Sequence, residues 1–187
     1  MVIPQQGQAM QAEQSSKDGI REVGRLIEKV KVAMLVTRTR DGHLVSRPLR
    51  TRAVDFEGAI WFFTSMSSEK IADIAADPRV NLAYANERDG VYVSIDGSAR
   101  VITDRARIDE LWVDAIDSLY FNGGKDDPEL VLIRIDTEWA ECWTAAETVI
   151  GRAFRFIKAR LTGDVGDLGQ QKHVDLQAGT LHSEPRK

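Results

Sequence analysis

The sequence is short of the residues that most often announce a chemistry. It holds one cysteine, Cys142, in 187 residues. Neither an internal disulfide nor a cysteine-based zinc site can form on that count, and a reducing, cytoplasmic setting is the expectation. Its three histidines, His43, His173 and His182, lie far apart along the chain and lack metal-ligand spacing, so no metal is expected. There is no Gly-x-Ser-x-Gly elbow and no His-Glu-x-x-His pair, so two common signs of hydrolase chemistry are missing. No run of about eighteen apolar residues exists, which argues against a membrane span. Residues 1–14 have no apolar stretch of the kind a signal peptide needs. Positive charge is not in excess: 25 Lys and Arg stand against 29 Asp and Glu, a net −4. Nothing in that balance favours a nucleic-acid partner.

What is present suits one soluble domain with a core of its own, since 43% of residues are hydrophobic and 29% charged. Residues 1–15 are polar and Gln-rich and read as disordered. A domain over 16–162 follows, and 163–187 reads as a polar, Gly-rich tail. Ile20, Val23, Ile27 and Val30 recur at helical spacing behind Ser16, predicting an amphipathic helix over about 17–30 that covers an open end or face of a sheet. From Val32 the period changes to that of strands. Asp41-Gly42 and Glu57-Gly58 mark hairpin turns. Strands are predicted at 33–37, 44–50, 51–56, 59–65, 79–86, 91–95 and 98–102, with a bend or bulge at Asp96-Gly97. Residues 129–144 form one long strand or a pair. Helices are predicted at 67–76, stopped by Asp77-Pro78, and from Asp104 to about Ser118. The form of 149–161 stays open. Short hairpins exclude a βαβ series. A small, mainly β barrel with peripheral helices removes the open edges that many short strands would leave.

The densest chemistry lies between Val45 and Lys70. Arg47, Arg50 and Arg52 stand on one strand, and Thr64, Ser65, Ser68 and Lys70 gather around a helix start. Unpaired backbone N–H groups at a helix N-terminus carry partial positive charge. Arginine forks and a lysine point charge beside them would hold a phosphate. The plainer alternative is a solvated strand face with an ordinary cap. Trp61, Phe62, Phe63, Trp139 and Trp143 could stack a planar cofactor or simply pack a core. Gly123 to Pro128 lacks the spacing of a Walker loop or an EF-hand and reads as a turn. Cys142 has no base nearby in sequence and reads as a core residue.

Ser-Arg-Pro-Leu (46–49) followed by Trp-Phe-Phe-Thr-Ser-x-x-Ser-x-Lys (61–70) resembles the pyridoxamine 5′-phosphate oxidase-like, FMN-binding split barrels. Within them, it looks most like the general stress protein 26 branch. Asp-Pro-Arg-Val-Asn-Leu-Ala-Tyr (77–84), Val-Ser-Ile-Asp-Gly-Ser-Ala (93–99), residues 124–135 and Glu-Cys-Trp (141–143) extend the likeness over about 17–162. It implies an FMN-binding split β-barrel and a homodimer with flavin at the subunit interface. The implied contacts are Arg47, Pro48, Leu49, Arg50, Phe63, Thr64, Ser65, Ser68 and Lys70, with Trp143 donated by the other subunit. The face around Trp61, Phe63 and Val93 would be left partly open by one barrel and covered by its mate. Glu69 stands where the oxidases place a basic residue. The Arg-x-His pair with which the oxidases hold their substrate is absent, which sets pyridoxamine 5′-phosphate oxidation itself in doubt. The expected function is a flavin-dependent oxidoreductase of unknown small-molecule substrate, with no catalytic residue assignable. The alternatives are a non-catalytic flavin-sequestering stress protein and a reductase using deazaflavin (F420). FMN is the expected cofactor, with FAD or F420 behind it.

Overall fold

The computed structural model describes residues 19–55, 58–144, 170–175 and 180–182. The expectations for 1–15, the Ser16 cap and 149–161 fall outside these residues. Six strands carry the fold: β1 (Val32–Arg38), β2 (Leu44–Val54), β3 (Ile60–Ser65), β4 (Arg79–Asn86), β5 (Val91–Ile102) and β6 (Leu130–Thr144). All are antiparallel to their neighbours in the order β3-β2-β1-β4-β5-β6, and β6 pairs back onto β3. The ring is therefore closed, and the six strands form a barrel without free lateral edges over the paired residues.

Alternation decides which side chains fill it. On β4, Val80, Leu82 and Tyr84 are buried while Ala83 and Ala85 are exposed. Ala33 and Leu35 of β1, Phe62 of β3, Val93 and Ile95 of β5, and Ile133, Ile135, Ala140 and Cys142 of β6 share the same interior. Each large member contributes roughly 1.5–3 kcal/mol by burial. A helix at 19–30, α1, adds Val23, Leu26 and Ile27 to this core beside the β2 end at Val54. Helix α2 (Glu69–Ala76) adds Ile74. It lies against the other end of the barrel, where Thr37 and Thr64 stand one residue from the ends of β1 and β3. The expected amphipathic cover at 17–30 thus plugs an opening.

Two glycines are fixed by geometry. Gly42 has φ +86° in the β1–β2 turn, where Gly42 N–H donates to Thr39 O (2.9 Å). A Cβ on Gly97 would lie 2.4 Å from Asp136 O. The register of β5 on β6 shifts at Asp96/Gly97, so the expected bulge is present. It lets β6 run as one long strand, pairing with β5 over Leu132–Thr144 and with β3 only over Leu130–Ile135.

Three expectations are corrected. Residues 104–118 form two short helices, α3 (Arg105–Leu111) and α4 (Asp114–Asp117), not one. Asp104 caps the first by accepting from Ala106 N–H (2.9 Å). The break follows because Asp117 accepts from Val113 N–H (2.8 Å) while Trp112 turns onto Phe63 and Phe121. Second, the supposed tail contains β7 (Gln170–Asp175) and β8 (Thr180–His182). They continue the sheet from the part of β6 that β3 leaves unpaired, Trp139–Thr144. An unpaired strand edge is a template for such additions. Third, Trp61 and Phe63 are not open. They form a second buried cluster with Ile108, Leu130 and Leu132, roofed by Leu111, Trp112 and Phe121 of the chain's own α3 region. Val93 is inside the barrel.

Candidate functional site

The residues around Lys70 form the most distinctive polar site of the described structure. Lys70 is in the first turn of α2 and points back over the β3 end. Its Nζ donates to Thr64 Oγ1 (3.1 Å) and to Ser68 Oγ (2.5 Å). The residue is 9% exposed, and among the described residues no carboxylate lies within 4.0 Å of its ammonium. Burial, and then the neighbouring Arg47 charge, push its pKa down, while Glu69 pulls it back up. A buried ammonium held only by neutral hydroxyls lacks the counter-ion that usually accompanies such a charge. Ser68 is the N-cap of α2 and makes no side-chain bond to the helix N–H groups, so its hydroxyl serves Lys70 instead.

Arg47 borders this site from β2. Its Nη1 donates to Thr37 Oγ1 (2.8 Å) and Asp73 Oδ2 (3.1 Å), and Thr37 Oγ1 donates to the same carboxylate oxygen (2.9 Å). Glu69 Oε2 approaches Nη2 at 3.6 Å from the solvent side. Thr37 and Asp73 are buried. They fix the guanidinium in place and have no counterpart among the residues singled out from sequence. One signal was available. Asp73 follows Lys70 by three positions and Glu69 by four, which puts it on their side of the helix.

The three arginines do not converge. Period-two alternation sends Arg47 to the opposite side of β2 from Arg50 and Arg52. Arg50 is half-buried and stands opposite Val32. Arg52 runs under α4, forms a buried ion pair with Asp117 and lies over the Phe63 ring at 5.5 Å. Burial, and then Arg50, lower its pKa. Arg52 therefore belongs to the scaffold rather than to a phosphate cradle. The other residues divide likewise. Pro48 is exposed opposite Met34, and Leu49 packs on the main core. Phe63 meets Trp112 and Phe121 edge-on, with centroids at 5.7 and 6.0 Å. Ser65 Oγ shares a hydrogen bond with Ser67 Oγ (2.8 Å) and makes none to Lys70. Trp143 pairs with Tyr92 on β6, twelve residues beyond Val131, the partner of Thr64. One chain does not bring Trp143 to Lys70.

The remaining candidates resolve as structure. The 123–128 loop is a turn with Gly124 at φ +72°, clamped by Arg105, which donates to Lys125 O, Asp127 O and Leu130 O. Cys142 is in the core. The fold makes cross-strand partners of His173 and His182. Among the described residues, no group of three or more His, Cys, Asp and Glu is placed to hold a metal. Nor is any helix among them long and apolar enough to cross a membrane.

The fold is thus a small closed antiparallel barrel with a buried lysine, held by two hydroxyls, at one end. Residues 18–167 match the family described as pyridoxamine 5′-phosphate oxidase like, and the chain belongs to that family. It is similar to a structure described as a general stress protein 26 from Jannaschia sp. CCS1. That likeness has 28% identity and a TM-score of 0.70, covering 84% of this chain and 98% of the other. The general stress FMN/FAD binding protein of Xanthomonas citri is 32% identical, TM-score 0.59, over 68% of this chain and 89% of its own. A pyridoxamine 5′-phosphate oxidase-related, FMN binding protein of Nostoc punctiforme PCC 73102 shares the fold at 16% identity. Its TM-score is 0.58, over 98% and 96% of the two chains. The barrel is that of the FMN-binding split barrels.

Proposed function

We propose that this chain binds a flavin nucleotide through its phosphate at Lys70, FMN being the smallest flavin that carries one, and that it acts as a flavin-dependent oxidoreductase on a small molecule. The carrying observation is the Lys70 ammonium, buried against Thr64 and Ser68 and, among the described residues, in no ion pair. A phosphate supplies the missing anion, and the outward N–H groups at the start of α2 add to its hold. Arg47, anchored by Thr37 and Asp73, borders the site from the side in a fixed position, its charge partly offset by Asp73. The family membership and the FMN/FAD binding of the Xanthomonas protein support the same reading. When bound, the flavin supplies the redox chemistry, while the protein supplies binding and orientation. No acid or base in the chain is then obligatory.

The working unit of this proposal is a homodimer. Val32, Met34 and Tyr92 are exposed large side chains on the outer face of β1 and β5, with exposed Pro48, Ala83 and Ala85 on the strands between and beside them. A two-fold axis would cover such a face with itself and could bring the partner's Trp143 towards the Lys70 site. The absorbance spectrum of the purified protein, with fluorescence titration by FMN, FAD and F420, tests the cofactor. Failure of every flavin to bind in the micromolar range would end the proposal. Turnover with NADH or NADPH separates an oxidoreductase from a sequestering protein. Because the Arg-x-His pair is absent from the sequence, repeated-turnover formation of pyridoxal phosphate with oxygen consumption is not expected, and observing it would reassign the substrate.

A further inference from the structure

The charges around Lys70 are balanced in an unusual way for a phosphate site. Two cations, Lys70 and Arg47, are matched by two carboxylates. Asp73 sits 3.1 Å from Arg47 and is buried, while Glu69 lies 3.6 Å from Arg47 and is 91% exposed. Asp73 is built into the scaffold through Thr37. Glu69 is not. Its side chain makes no hydrogen bond and its one ion pair is the long contact to Arg47, so its tie to the fold is the modest one of an exposed acidic residue in the first turn of α2. It nevertheless stands in the first turn beside Lys70 and acts on that lysine's protonation. Buried Asp73 offsets much of the Arg47 charge, so the site presents close to one net cation plus the helix start, and Glu69, screened by water, lowers that potential further.

A phosphate monoester carries nearly two negative charges at neutral pH, and a phosphodiester carries one. We infer that Glu69 is a specificity-determining residue that tunes this site to a singly charged phosphate, so that a flavin bearing a phosphodiester is accepted alongside FMN. This rests on the reading that Lys70 holds the flavin phosphate. Glu69 acts through water, because it is exposed. For charges about 6 Å apart in water, one unit charge shifts an equilibrium about threefold and a double charge about tenfold. Salt weakens both effects.

The test uses three flavins with the same ring: FMN, riboflavin 4′,5′-cyclic phosphate with one charge, and riboflavin with none. Their affinities are measured by fluorescence at low and high salt for the wild type, Glu69→Gln and Lys70→Ala. Glu69→Gln is expected to tighten FMN about tenfold and the cyclic diester about threefold at low salt, leaving riboflavin unmoved. The ratio of FMN to diester affinity then shifts about threefold towards FMN, and high salt suppresses the shift. An unchanged ratio, or equal changes for all three flavins, overturns the role of Glu69. Lys70→Ala reports on the underlying reading separately. If it leaves the gap between FMN and riboflavin intact, Lys70 does not hold the phosphate and both claims fall. If it closes the gap while Glu69→Gln leaves the ratio unchanged, only the role of Glu69 fails.

Discussion

Replacing Lys70 by Met separates a residue kept for a ligand from one kept for the fold. Methionine has comparable length and no charge, so it can fill the space between Thr64 and Ser68. In the unliganded protein the lysine is a liability, since its ammonium is buried with hydroxyl partners only. Its pKa in the folded chain is depressed, chiefly by burial. The sign follows from linkage: between the depressed folded value and the ordinary lysine value, the unfolded chain binds more protons. Stability therefore rises with pH across that window. Below it the charged lysine costs stability, and methionine removes that cost while leaving the Thr64 hydroxyl without one partner, a loss of about 1 kcal/mol. The two effects oppose each other, so the apo melting temperature should change little. Phosphate binding should move the other way. Losing a charge-assisted contact costs about 1.5–3 kcal/mol, or roughly ten- to hundredfold in affinity. Flavin fluorescence titrations and thermal melts of both proteins give the two numbers. In the wild type, FMN affinity should also fall as pH rises through the depressed Lys70 pKa, and Lys70→Met should abolish that fall. If Lys70→Met lowers apo stability by more than about 2 kcal/mol and leaves FMN affinity intact, the lysine is structural and the site is misassigned.

Three further outcomes are expected. Asp117→Asn strands the Arg52 guanidinium, whose Nε already lacks a hydrogen bond. It should cost about 3–5 kcal/mol in urea unfolding, while Arg52→Met with Asp117→Leu recovers most of it. A double replacement no more stable than Asp117→Asn would show that the pair is not the source of the loss. Gly97→Ala drives a Cβ into the Asp136 carbonyl at the β5 bulge and should destabilise by about 1–3 kcal/mol. An unaffected melt would mean that the bulge relaxes freely. Met34→Lys on the exposed outer face should shift sedimentation towards monomer and weaken FMN binding together. A Met34→Lys monomer with full FMN affinity would refute an interfacial flavin.

Much of this protein is decided locally and so could be read from the chain. Alternation in Val80, Leu82 and Tyr84, glycine at 42, the bulge at Asp96-Gly97, and the helical period of Ile20, Val23 and Ile27 depend only on neighbours in sequence. Together with the short hairpins, they leave little besides a small antiparallel barrel. Thr64, Ser68 and Lys70 could be read too, because one strand end and the first turn of the next helix must meet. Alternation alone also separates Arg47 from Arg50 and Arg52, which lie on the other side of β2. What sequence could not give depends on partners distant along the chain. Arg52 pairs with Asp117, sixty-five residues on (117 − 52). Arg47 is held by Thr37 and Asp73. Trp61 and Phe63 are covered by α3 and its neighbours, not left for another chain. The long helix expected at 104–118 breaks where Asp117 takes the Val113 N–H. Strands appear in a polar tail because β6 has an edge to offer there. A residue type states what a group can do, and its neighbours in sequence state which way it points. Whether its charge is already spent depends on what the closed barrel sets opposite it. Arg47 and Arg52 meet carboxylates from distant elements, while Lys70 is buried against hydroxyls alone, and only the closed barrel draws that distinction.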